Sequence, residues 1–453
     1  MGNGQWAYCP LPIAIDTLAD NEQRYLCSFH DGVGADMADR VVVIGAGIIG
    51  LCAAYALDKR GWQVTVVEAR SPGYGASSIN AGRVCPTHSD PVPAPGLVRQ
   101  SLKWMRRSDS PLYIQPRANP DLGRFLYTFW RHCNQNAFES GAAAMSELNR
   151  RSLELFDEMR ASGILFEEQR AGTLHVYESA ERLEHTLRGL EAMAPFGLES
   201  SEPIWGDDLR HLEPALTDRV TGGYWIKQDR QIRPDTLIRG LVEFLKARGV
   251  DIRTGSSVTG FDIARDRVTN VRCDRGRLET DVVVIAAGSW SPELASMANR
   301  RIPVQPGKGY ALDYTPSPVE IRHNVSVDVG RHAVSPFEGM TRLAGTMEFS
   351  GINERIRPER VEAILRSAAR TFRGWPTDLR IPIIGSGLRP MPADGLPIIG
   401  WMPGYRNLAV ATGHGMMGLT MGPSTANYLA DLMTTNVAPQ ILKPFAPDRF
   451  GRI

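Results

Sequence analysis

The chain has 453 residues, room for two or three domains of roughly 150 residues each, and its 43% apolar content supports a sizeable core rather than disorder. Lys plus Arg total 51 and Asp plus Glu 50, so no basic field marks a nucleic-acid partner. The six cysteines (Cys9, Cys27, Cys52, Cys85, Cys133, Cys273) are scattered without a C-x-x-C pair, and the nine histidines form no H-E-x-x-H or comparable cluster. That usage fits reduced thiols in a cytosol and predicts no metal.

Residues 1–36 lack periodicity and carry Pro10 and Pro12. With neither a basic start nor an apolar core before a small-residue cleavage site, they do not read as a signal peptide. Met37 stands just before the first strand, so translation is expected to start there and 1–36 to be an extension, disordered or not translated.

Val41-Val-Val-Ile-Gly-Ala-Gly-Ile-Ile-Gly50 then runs from β-formers into Gly45-x-Gly47-x-x-Gly50, followed by an Ala- and Leu-rich helix and a second apolar strand ending at Glu68. Gly45 permits the tight turn off the strand, Gly47 lets backbone approach a pyrophosphate, and Gly50 lets the helix pack close. The helix N-terminus offers free N–H groups to phosphate, and Glu68 stands where a ribose hydroxyl needs an acceptor. Strand, triplet, helix, strand and acid in this order predict dinucleotide binding. The same pattern explains the apolar run Val41–Leu57 better than a membrane span does.

After Glu68 the alternation stops. Residues 71–97 are rich in Ser, Gly and Pro, and a mostly helical region follows. Leu122–Trp130 is apolar enough for a core helix or a peripheral membrane contact. Spacing near 3.6 predicts a helix over Asn149–Met159. Strands are expected at Gly172–Tyr177 and Gly222–Ile226, and a helix over Asp235–Arg248 with Pro234 in its first turn. Short strands follow at Asp251–Arg253, Val258–Ile263 and Val268–Cys273, then a buried parallel strand in Asp281–Gly288. Antiparallel strands are expected across 302–349, turns from Gly385, a strand at Leu408–Ala411, and a helix from about Met417 to Met433. A nucleotide sheet assembled from three separated pieces favours FAD over NAD, whose sheet is normally contiguous.

Several motifs together resemble the FAD-dependent D-amino-acid oxidase/dehydrogenase superfamily, most closely its bacterial D-amino-acid dehydrogenases, with glycine oxidase as a cousin. They are VVVIGAGIIGLCAAYAL (41–57), SSINAG (77–82), SLKWM (101–105), DVVVIAAGSW (281–290), QPGKGYALD (305–313), AGTMEF (344–349), GLRPMPADGLPIIG (387–400) and ATGHGMMGLTMGPST (411–425). The resemblance spans about Met37 to Met433. It implies an α/β fold: a discontinuous Rossmann-like FAD-binding domain (37–105, 232–300, 385–437) and an α+β substrate domain with an antiparallel sheet (106–231, 301–384), with 438–453 as a C-terminal tail.

By this resemblance Ser77, Ser78, Asn80, Ala81 and Gly82 lie along the flavin ring and Val258 against the adenine. Ala286, Ala287 and Gly288 end their strand against the pyrophosphate and ribityl region. Ala46 and Ile48 within the first motif, Ala69 after Glu68, and Gly413, His414, Gly415, Met416, Met417, Gly418 and Leu419 complete the cofactor set. Glycine N–H groups and a helix start at 413–418 would stabilise negative charge at flavin N1 and C2. His414 either adds a donor there or is structural.

Arg389 would grip a substrate carboxylate, since a guanidinium offers a planar charged fork; the alternative is an internal pair with an acid such as Asp394. Tyr310 is a second candidate for the carboxylate or amine, or is simply packed. His88 is weaker, and neither it nor Cys85 carries a signal for covalent flavin attachment. The expected reaction is oxidation of a D-amino acid to 2-oxo acid and ammonia, by hydride transfer from Cα to flavin N5, with a quinone or other carrier taking the electrons. An oxygen-using oxidase of glycine, sarcosine or a cyclic imino acid is the alternative. A flavin domain acting on tRNA bases would want a basic surface, and a non-enzymatic flavin protein would not need Arg389. The implied location is the cytoplasm, with peripheral contact at the inner face of the membrane an open option.

Overall fold

The β-branched run that opens the first motif forms the strand Arg40–Ile44, and the register of its neighbours explains why it is apolar on both sides. The computed structural model describes residues 39–104, 110, 112–116, 118–199 and 201–451. The expected extension 1–36 and the start at Met37 lie outside them. A six-stranded sheet runs in the order Asp251–Thr254, Gln63–Glu68, Arg40–Ile44, Val282–Ile285, Leu408–Thr412, Ile398–Trp401. Every pairing is parallel except the last. Val41 and Val43 pack into one core with helices Ile48–Asp58, Pro234–Ala247 and Gly418–Thr435. Val42 and Ile44 pack into another with Phe261, Val268 and Val271 of a three-stranded meander. Covered on both faces, the central strands need no polar alternation. The sheet draws on three separated stretches of chain, as expected.

The larger sheet has nine strands and is mostly antiparallel. Its order is Ile383–Pro392, Val304–Tyr314, Met340–Phe349, His332–Phe337, Asn324–Val327, Thr173–Tyr177, Gly222–Ile226, Pro203–Trp205, with Leu112–Ile114 also paired to Met340–Phe349. Two pairings are parallel, Asn324–Val327 with Thr173–Tyr177 and Met340–Phe349 with Leu112–Ile114. One face carries Tyr310, Leu312, Val325, Val334 and Leu343 into a core with Val361 and Ile364 of helix Pro358–Thr371. Side chains alternate along a strand, so the intervening residues face the other way. Register links Gly385, Ala311, Ala344, Ala333, Ser326, His175 and Tyr224 in one row across that opposite face.

Two local expectations are corrected. The segment from Gly385 is not turns: Ile383–Pro392 is an edge strand paired along its length with Val304–Tyr314. Its glycines and prolines suit an edge, where Pro390 and Pro392 break no second ladder. The helix expected over Asn149–Met159 is divided. Gln135–Asn149 ends where the buried Asn149 side chain donates to Ser89 Oγ (2.7 Å), and Ser152–Ala161 starts afresh. Within the expected tail, Leu442 and Phe445 are buried in the first core, and Arg449 forks onto Asp394 at 2.7 and 3.2 Å. Leu122 and Phe125 of helix Pro120–His132 are buried while Tyr127 and Trp130 are exposed, so its apolar residues divide between core and surface. Among the described residues no helix is long and apolar enough to cross a membrane.

Candidate active site

The C-terminal ends of the parallel strands and the small-residue face of the larger sheet enclose a cavity of about 1280 Å³. That exceeds the roughly 1,000 Å³ upper end for ordinary small-ligand pockets and leaves room for a dinucleotide together with a second molecule.

At the dinucleotide end, Gly45 has φ +110° and donates its N–H to Val67 O at 2.8 Å. A Cβ on Gly45 would lie 2.7 Å from Ala286 O, and one on Gly50 would lie 1.9 Å from Gly45 O. The spacing is therefore dictated by backbone against backbone. Gly47 caps helix Ile48–Asp58 without a side chain, no acid occupies the first turn, and Ile48 N donates to Ser77 Oγ (3.0 Å), so the helix N-terminus lines the cavity with its positive end toward it. Glu68 accepts from Ala46 N (2.8 Å) and Arg70 N (2.9 Å), which fixes its carboxylate at the cavity wall. Val258, Ala69, Ala286, Ala287 and Gly288 line the same wall.

The segment after the second strand is pinned into a strap. Asn80 Nδ2 donates to Ser77 O and its Oδ1 accepts from Gly82 N, both at 2.8 Å. Ser335 Oγ donates to Ala81 O (2.7 Å). Arg342, buried and forked onto Asp313 at 2.7 and 2.8 Å, donates to Ser78 O (2.9 Å) and Asn80 O (3.0 Å). Ser77, Asn80 and Ala81 line the cavity; Ser78 and Gly82 shape the strap from behind, as Ala46, Gly50 and Gly413 shape their own loops.

Opposite, Gly413 and Gly415 adopt φ +75° and +53°, Gly415 N donates to Pro390 O (3.0 Å), and helix Gly418–Thr435 starts with no side-chain cap and no acid. Its N-terminus, with Met416, Met417 and Leu419, also lines the cavity. His414 is buried, its Nε2 3.0 Å from Thr425 Oγ1, while Nδ1 has no partner. Burial pushes its pKa down to about 3, so it is a neutral imidazole.

Arg389 projects from the edge strand into the cavity. Nη1 donates to Thr346 O (2.8 Å), and among the described residues no carboxylate lies within ion-pair distance. Asp394, the partner an internal pair would use, is taken by Arg449. Burial lowers the Arg389 pKa to about 10, which leaves the guanidinium charged at neutral pH and in want of an anion. A Cβ on the neighbouring Gly309 would lie 2.1 Å from Arg389 Nη1, so the glycine of Lys308-Gly-Tyr310 makes room for the fork.

The structure does not bring the Tyr310 hydroxyl to this guanidinium. Tyr310 borders the cavity but alternates with Gly309, and its ring packs into the core behind the sheet. Its hydroxyl donates to Glu348 Oε2 (2.8 Å), beside Lys308 Nζ at 3.0 Å from the same carboxylate. Burial would raise the Glu348 pKa, yet bonds from Ser350, Tyr310 and Lys308 hold it below the usual value. His88 stacks 4.9 Å from His175, which stacks 4.4 Å from Tyr224. Sequence reasoning missed Gly309, Thr346, Arg342 and Asp313. Only Gly309 carried a signal, as the small residue between two large ones in a quoted motif.

Parallel sheet, glycine cradle and a second sheet sharing one cavity define a dinucleotide-dependent enzyme of two-sheet design. The FAD dependent oxidoreductase family model (DAO) matches residues 40–432, and the chain belongs to that family. A D-amino acid dehydrogenase of Cereibacter sphaeroides is 33% identical over 91% of this chain and 97% of its own. One of Granulibacter bethesdensis is 31% identical over 87% and 96%. The glycine oxidase structure from Geobacillus kaustophilus shares the fold, with TM-score 0.70 at 22% identity over 91% of this chain and 99% of that one. FAD is the cofactor, and the cradle fits it: the glycines exclude any Cβ, two helix N-termini without an acid in the first turn face the cavity, and Glu68 is held at its wall.

Proposed function

We propose that the protein is a D-amino-acid dehydrogenase, oxidising a D-amino acid to its 2-oxo acid and ammonia and passing electrons to a quinone or other carrier. The observation that carries this reading is Arg389, a charged guanidinium inside the cavity with a backbone carbonyl on one nitrogen and no carboxylate. A substrate α-carboxylate supplies what it lacks. Relatives named as D-amino acid dehydrogenases over most of both chains support the substrate class.

FAD held there would supply the electron-pair acceptor. The chain contributes orientation and electrostatics. The residues of the 45–50 loop, Glu68, Ala69, the 77–82 strap, Val258, 286–288 and 413–419 hold the cofactor. Arg389 fixes the carboxylate and thereby the Cα–H direction, while the strap braced by Arg342 keeps the opposite wall in place. With the amine bound unprotonated, no side-chain base is required, and the imine product hydrolyses in water. The division into a cofactor part and a substrate part follows the two sheets, with the 385–392 stretch contributing Arg389 from the substrate sheet.

Anaerobic mixing of the FAD-loaded protein with D- and L-amino acids tests the reading. D-amino acids should bleach the flavin and yield 2-oxo acid, and Arg389→Lys should slow bleaching sharply. Bleaching by L-amino acids alone, or by none, overturns it. Rapid peroxide release in air would make the protein an oxidase instead.

A further inference from the structure

The small-residue face of the larger sheet ends in a second cation. Arg83, immediately after the strap, lines the cavity with its Nη2 3.4 Å from His175 Nε2 and its Nη1 3.5 Å from Ser326 Oγ. Its Nε is buried without a partner, and among the described residues no carboxylate lies within ion-pair distance of it. The acid whose field reaches it, buried Asp229, has its carboxyl pushed up to about 6 by burial and lies beyond ion-pair distance, so it leaves the Arg83 fork without a direct partner. Arg83 is thus, like Arg389, a charged fork awaiting an anion.

Strand order gives the spacing. Arg389 reaches across Gly309 to Thr346, on the Met340–Phe349 strand, and Arg83 sits at Ser326, two strands further on. Thr346 lies two residues along its strand from Ala344, the residue in register with Ala333 and Ser326. At about 4.8 Å between neighbouring strands and about 3.3 Å per residue, the two anchoring points stand roughly 12 Å apart. The floor between them is Ala344 and Ala333, too small to fill that space. Two carboxylates, each bonded at about 2.8 Å to a guanidinium and joined through three carbons so that their outer oxygens span roughly 7 Å, match the gap.

Resting on the reading of Arg389 above, we propose that Arg83, backed by His175 and Ser326, binds a second carboxylate, so that the preferred substrate is an acidic D-amino acid with its side-chain carboxylate at the γ position. Shorter or neutral side chains leave Arg83 unpaired and lose that contribution.

The test uses the FAD-loaded protein and two probes that cannot be oxidised by it, glutarate and butyrate, with binding read from the flavin absorption spectrum. Glutarate should bind about 10- to 100-fold more tightly, the range for hydrogen bonds to a charged group. Arg83→Gln should remove the difference and Arg83→Lys should restore part of it. In turnover, the advantage of D-glutamate over D-glutamine in kcat/KM should disappear with Arg83→Gln. Equal binding of the two probes by the unaltered protein, or equal weakening of both by Arg83→Gln, overturns the proposal. If Arg83→Gln fails to retain FAD, the unaltered protein and Arg83→Lys decide alone. Should glutarate be preferred while no amino acid bleaches the flavin, the second carboxylate site stands and the dehydrogenase reading falls.

Discussion

At the scale of single residues, the site stores unfavourable free energy at two adjacent points. Arg389 is a desolvated cation without a counter-ion, and the carbonyl it leans on belongs to Thr346, a β-branched residue at φ +65° with its Oγ1 buried and unpartnered. Left-handed backbone at such a residue costs on the order of 1–3 kcal/mol and persists only where its surroundings impose it. Arg389→Met is therefore expected to cut both ways. It should raise unfolding free energy by about 1–3 kcal/mol, because the burial cost disappears. It should also weaken use of the amino-acid substrate by about 2–5 kcal/mol, because the carboxylate loses its partner. Denaturant titration and the rate of anaerobic flavin reduction measure the two; a variant both less stable and fully active would contradict the assignment. Thr346→Gly relieves the backbone strain while keeping the carbonyl, and should stabilise by about 1 kcal/mol. A loss of stability there would mean the side chain holds that left-handed backbone in place.

Among elements, the edge strand Ile383–Pro392 and its neighbour Val304–Tyr314 position the substrate end, and their glycines are what make it work. Gly309 sits under the Arg389 fork, so Gly309→Ala should leave the sheet folded and move the flexible guanidinium instead. The expected result is a rise in KM of about tenfold or more with a melting temperature changed little, by analogy with other misplaced positioning groups. Unchanged KM would place the substrate elsewhere. The same pair of strands shows how far the sequence was legible. The βαβ opening was readable because its glycines, helix and acid each answer a local steric demand, and backbone contacts at 45, 50 and 286 bear that out. The edge strand was not readable, because propensity takes Gly385-Ser-Gly and two prolines for turns, and only pairing with a distant strand makes them extended. Likewise the sequence leaves open whether Tyr310 meets the substrate or is simply packed. Which face it occupies depends on register, and register puts Gly309 toward the cavity. Arg342 with Asp313 and Arg83 with His175 were invisible for the same reason: each pair joins residues that only the folded sheets bring together.

Over the whole molecule, the cavity is lined by histidines that folding keeps neutral, which gives the protein a signed response to acid. Burial pushes His88 and His332 down to about 4 and His414 to about 3, and pushes His175 well below its ordinary value; Arg83 adds to the effect at His88 and His175. In the unfolded chain each would take up a proton near pH 6.5, so below that pH the unfolded state binds more protons and stability falls as pH falls. Each histidine contributes up to about 1.4 kcal/mol per pH unit between its unfolded and folded values. The carboxyls of Asp229 and Asp90, both raised to about 6, oppose this: each keeps its proton in the folded state, which favours folding as pH drops through 6. Two carboxyls against four histidines leave the sign unchanged. Unfolding free energy of the FAD-loaded protein should therefore decline from pH 7 to pH 4.5, and His332→Leu should flatten that decline by about one proton's worth of slope. Catalysis should show a different profile. With every cavity histidine neutral above pH 5 and Arg389 losing its proton only near 10, flavin reduction between pH 6 and 9.5 should follow the substrate amine alone and then fall as the guanidinium neutralises. An additional limb near pH 6–7 that vanished in a His414 variant would show that this imidazole titrates after all, and would return it to the chemistry.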